Sequence, residues 1–207
     1  MPALILKESN HGLSLGRQRQ AKRELQVFRD SKASGVWSTV FHQCIAEFNR
    51  LSSHLRLGVI LKESKHAPVD GGGGADVSVS TANGPIALNY EKQDYPGTLT
   101  GNGLHGRTKA IKRQTAITVM EKAFIFLPQS PQTLTPQSGW RPVGTNVMKV
   151  ILIHEFIHAC GLEDHTPGDV FQDIPNVEGD SVKAGNIKMP PIFISGATAS
   201  RIQDLWT

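Results

Sequence analysis

Apolar residues recur at Val40, Phe41, Cys44, Ile45, Phe48 and Leu51, a spacing of three and four that lines one face of a helix. This predicts a first core helix over residues 38–55, beginning near Trp37. Residues 55–61 then read as a strand, residues 75–81 as a second, through the alternation Val77, Ser78, Val79, Ser80, and residues 86–90 as a short third. The glycines at 97, 101, 103 and 106 predict an irregular or edge segment between Asp94 and Arg107. Ile117, Val119, Phe124, Ile125 and Phe126 predict at least one buried strand within residues 115–127, broken by Pro128. The four prolines of residues 128–142 predict loop. A last apolar run follows, in which Val147, Val150, Ile151, Leu152, Ile153, Phe156 and Ile157 cover nearly the whole circumference of a helix. Thr145 or Asn146 would cap it, and it would run to about Cys160. A surface helix keeps a polar face, so this one is expected to be central and buried.

Between these elements Gly71, Gly72, Gly73 and Gly74 form a run that suits neither helix nor strand and reads as a mobile connector. A phosphate loop is only weakly supported, because neither Lys-Ser/Thr nor a clear helix start follows. The chain has 207 residues, 39% hydrophobic and 19% charged, enough apolar surface for one core and too much for a disordered chain. No apolar run approaches the roughly 18–20 residues of a membrane span. Nor do the first residues carry the basic region and apolar stretch of about 7–15 residues that a secretion leader needs, so none is expected. Cys44 and Cys160 allow at most one bridge and are expected to be buried thiols. The net charge of +4 is concentrated in residues 1–32, where seven basic residues face three acidic ones. A solvated face is the ordinary explanation, and an anionic partner for this basic segment is the less favoured one.

The chemistry lies inside the second helix, at His154-Glu155-Phe156-Ile157-His158. Residues four apart lie on one face about 6 Å apart along the axis, so both imidazoles can reach one metal ion. A chain with 8 histidines would show such a His-Glu-x-x-His pattern by chance only about 0.01 times. Two histidines and a glutamate in an aliphatic helix would also be costly to bury without partners. Gly161 can end the helix and turn the chain back, bringing Asp164 and His165 close behind. The other histidines, His11, His42, His54, His66 and His105, have no ligand spacing.

The segment His-Glu-x-x-His-x-x-Gly-x-x-Asp-His resembles the signature of the metzincin clan of zinc endopeptidases, whose third histidine stands three residues after the glycine. Here Asp164 holds that position and His165 follows. Either the aspartate binds, as in the snapalysin type, or the loop is one residue longer and His165 binds. His165 is preferred, since neutral imidazole is the commonest zinc ligand and Asp164 can support it. Met189, before Pro190 and Pro191, resembles the methionine turn beneath the metal, and Pro191 to Phe193 would form the wall of a substrate pocket. The absence of a tyrosine after Met189 favours the matrixin-like arrangement.

The resemblance implies an α+β fold, with a twisted mixed β-sheet, a buried zinc-binding helix and the first core helix packed on it. It covers residues 36–207 as a peptidase domain, with residues 1–35 as a basic N-terminal segment that could hold a first strand and a helix. It implies one zinc ion on His154, His158 and His165, a water made acidic by the metal, and Glu155 as the general base that takes its proton. A monomer acting on peptide or protein is expected. The competing readings are a non-catalytic metal-binding or partner-binding protein, and a zinc hydrolase of a non-peptide or cell-wall amide.

Overall fold

Leu25 and Val27 are buried while Glu24, Gln26 and Phe28 are only half-buried along β2 (Glu24–Arg29), the two-residue period of a strand lying on a core. The structure, a computed structural model, describes residues 14–15, 22–113, 116–135, 139–163, 192 and 194–206. β2 is an interior strand, parallel to β3 (Ile60–Ser64) on one side and to β4 (Val77–Ala82) on the other. β10 (Ala116–Pro128) runs parallel to β4 and to the short β1 (Ser14–Leu15). On its other edge it carries the antiparallel β9 (Arg107–Arg113), which completes a sheet of six strands.

The long helices are α1 (Val36–Leu55) and α2 (Thr145–Ala159), and α3 (Gly196–Trp206) closes the described chain. Phe48 of α1 meets Phe156 of α2 edge to face, with centroids 6.2 Å apart. Both helices share one apolar core with Leu25, Val79, Ile125 and Leu127 of the sheet. Indole groups tie the elements at their ends: Trp37 donates to the Pro128 carbonyl at 2.9 Å, and Trp206 to the Cys160 carbonyl at 2.8 Å. The chain is thus α+β with a mixed sheet, and α2 is buried nearly all round, as its composition requires.

Several expectations are corrected. Residues 55–61 are not one strand: α1 runs to Leu55, Arg56 turns left-handed at φ 55°, and β3 begins at Ile60. Asn49 sets that start, its side chain bonding both the amide and the carbonyl of Leu61. Residues 86–90 split between two small hairpins, β5 (Gly84–Ile86) with β8 (Gly97–Leu99) and β6 (Asn89–Tyr90) with β7 (Gln93–Asp94). The glycine-marked segment is irregular apart from β8, as one of the two readings has it, and the edges of the main sheet are β3 and β9. Residues 128–142 hold a hairpin, β11 (Gln132–Thr135) with β12 (Gly139–Pro142), because Pro131 and Pro142 stand at its ends, where a missing N–H costs little. Gly144, not Thr145 or Asn146, occupies the cap of α2 and makes no side-chain cap bond; all three residues are exposed to solvent.

The glycine run is no loose connector. The carbonyls of Gly72, Gly73 and Ala75 accept from the fully buried Lys122 ammonium at 2.9, 2.7 and 2.7 Å. A Cβ on Gly74, whose φ is +66°, would stand 1.9 Å from the Ala67 carbonyl oxygen, so only glycine fits. Within residues 1–35, β2 lies inside the sheet between β3 and β4. Cys44 and Cys160 are free and buried, and burial pushes both thiols well above their usual range. Among the described residues no helix is long and apolar enough to cross a membrane.

Candidate metal and acid-base site

His154 and His158 lie one turn apart on α2, which ends just beyond them. Gly161, at φ 114°, donates its amide to the His158 carbonyl at 2.9 Å and turns the chain back. That turn brings the Leu162 carbonyl to 2.6 Å from His158 Nδ1. A carbonyl only accepts, so Nδ1 carries the proton and the lone pair of His158 sits on Nε2. Nε2 of His158 faces Nε2 of His154 at 3.2 Å. Two imidazoles bound to one tetrahedral zinc, at about 2.0–2.1 Å each, hold their nitrogens about 3.3 Å apart. The His158 tautomer and the spacing fit such an ion, and the same 3.2 Å is the length of a hydrogen bond from His154 Nε2 to His158 Nε2.

Glu155 is 3% exposed and turns away from the aliphatic packing toward β9. Thr108 Oγ1 donates to its Oε2 at 2.6 Å. Gly106 lies against the same side chain, where a Cβ would come within 2.7 Å of Glu155 Cγ and 2.8 Å of Oε1. Burial pushes the Glu155 carboxyl up to about 7, against the opposing pull of the Thr108 hydrogen bond. An acid poised near neutrality can both accept and return a proton at the working pH of most enzymes. The three residues border a cleft of about 600 Å³, whose wall includes His105, Gly106, Thr108 and Lys112. Lys112 pairs with Glu163 at 3.2 Å, joining β9 to the segment after α2.

His154, Glu155 and His158 are thus brought together, as their spacing predicts. Asp164, His165, Met189, Pro191 and Phe193 lie outside the described residues. Among the described residues no group of three His, Cys, Asp or Glu side chains is disposed to hold a metal, and the third ligand expected from the sequence falls beyond them. His42 instead pairs with Glu63 at 2.6 Å, and His105 lines the cleft, a place its spacing did not suggest. Sequence reasoning also missed Thr108 and Gly106. No local pattern marks either; their roles come from the pairing of β9 with β10, which sets them over α2.

No family model and no curated protein matches the chain. What the site can do chemically follows from its own donors, their burial and their spacing.

Proposed function

We infer that the chain is a zinc-dependent endopeptidase of the metzincin type. The observation that carries this reading is a pair of Nε2 atoms 3.2 Å apart, with the buried Glu155 carboxyl held by Thr108 in the same cleft. His154 and His158 would hold the metal, with His165 as the third ligand and Asp164 as the alternative. Zinc, when bound, supplies Lewis acidity toward a carbonyl oxygen and makes a water acidic. Glu155 receives the proton at its carboxylate and returns it to the departing amine, while Thr108 keeps that carboxylate aimed. Met189, Pro191 and Phe193 belong to the same reading as methionine turn and pocket wall.

Two features weigh against the competing readings. A purely structural zinc site closes on four protein ligands and has no use for a buried carboxyl beside them. The outer edge of β9 has no strand partner among the described residues, and an extended peptide can add there by main-chain hydrogen bonds. That favours a peptide over a small amide. The test is hydrolysis of a broad peptide library by wild type and Glu155→Ala, with zinc content measured alongside. The variant should keep its zinc and lose cleavage by about 10²–10⁴-fold. Cleavage at the wild-type rate would remove Glu155 as the base.

A further inference from the structure

β9 carries Arg107, Lys109, Lys112 and Arg113 and no acidic residue. Strand parity sorts these charges between two faces. Thr108 reaches Glu155, Ala110 packs on the apolar core and Lys112 meets Glu163, so the even positions face α2. The odd positions face the other side, where Arg107 donates to the Thr98 carbonyl at 3.3 Å and the Lys109 ammonium stands 5.4 Å from the Tyr95 ring centroid. Among the described residues neither Arg107 nor Lys109 forms an ion pair, whereas Lys112 is already neutralised by Glu163. Glu121 on the adjoining β10 turns its carboxylate toward Gly72 instead.

We propose that the outer edge of β9 binds an extended peptide segment with acidic residues at alternate positions, facing Arg107 and Lys109. This names the substrate class of the cleft described above and rests on the peptidase reading. In an added strand, directly opposed side chains share a face. Two carboxylates two residues apart therefore meet Arg107 and Lys109 together, while the residue between them points to the Glu155 side. Pairing with β9 of a second copy is disfavoured, since it would set these like charges along one another. The guanidinium and the ammonium are already held by Thr98 and Tyr95, so little side-chain freedom is lost when a carboxylate arrives.

The test uses three labelled peptides that differ only at two positions, Asp-x-Asp, Asn-x-Asn and Lys-x-Lys. Binding is read by fluorescence anisotropy on zinc-loaded Glu155→Gln protein at low and at physiological salt, and hydrolysis by wild type is read in parallel. The Asp peptide should bind about ten-fold tighter than the Asn peptide, with the margin shrinking as salt rises. Adding Arg107→Glu and Lys109→Glu should invert the order so that the Lys peptide binds best. Lys109→Gln, a milder change, should reduce the Asp preference several-fold should the double reversal fail to fold. Equal affinity for the Asp and Asn peptides overturns the proposal. Cleavage without charge preference overturns it while leaving the peptidase reading intact, and charge-dependent binding without cleavage does the reverse.

Discussion

Thr108 holds a buried carboxyl by a single 2.6 Å hydrogen bond, so its hydroxyl has a role that its methyl group cannot fill. Thr108→Val keeps the shape and removes the donor. The loss of one bond to a charged group predicts a fall in kcat of about 10–100-fold with KM little changed. Thr108→Ser should restore most of the rate, which a merely structural defect would not allow. The third ligand is also a residue-scale question. His165→Ala should lower zinc affinity by orders of magnitude, and Asp164→Ala by no more than the roughly 10–100-fold typical of an outer partner. Titration of zinc into both apo variants decides it, and the opposite ranking would assign Asp164 to the metal.

At the scale of elements, α2 is placed by what grips its end. Trp206 of α3, 3% exposed, donates its indole N–H to the Cys160 carbonyl just beyond His158. Trp206→Phe leaves that buried carbonyl without its donor, and denaturant unfolding should show a loss of about 1–2 kcal/mol. An unchanged midpoint would mean that α3 does not brace the site. The same scale shows which parts of the fold were legible. The two long helices could be read because their apolar residues repeat at three and four, or cover every face, over many turns. Their ends were less legible: Asn49 fixes the start of β3 through a side chain twelve residues away. β9 was missed because its residues carry charge on both faces, Arg107 and Lys109 on one and Lys112 on the other, with only Ile111 deeply buried. The β11–β12 hairpin was masked by prolines that mark its ends and not its interior. At the site, the His154–His158 pairing was written in local spacing, whereas Gly106 and Thr108 depend on strands that meet only in the folded chain.

For the molecule as a whole, the sheet gathers distant segments of the chain over one helix. β2, from the basic N-terminal stretch, is an interior strand next to the edge strand β3, and Arg29 donates to the Ala33 carbonyl at 2.8 Å. That stretch therefore contributes to the body that carries the site, and a partner for its remaining charges is a separate matter. The core is large enough to stand without a metal, so on the proposed reading zinc would act in chemistry and not hold the fold together. The central claim is that His154 and His158 converge on a metal ion, and not merely on each other. Elemental analysis of protein purified without chelator measures this directly. The account predicts about one equivalent of zinc in the wild type and a large loss in His158→Ala that still unfolds cooperatively. A wild-type protein free of zinc, or an equal zinc content in the variant, would contradict it.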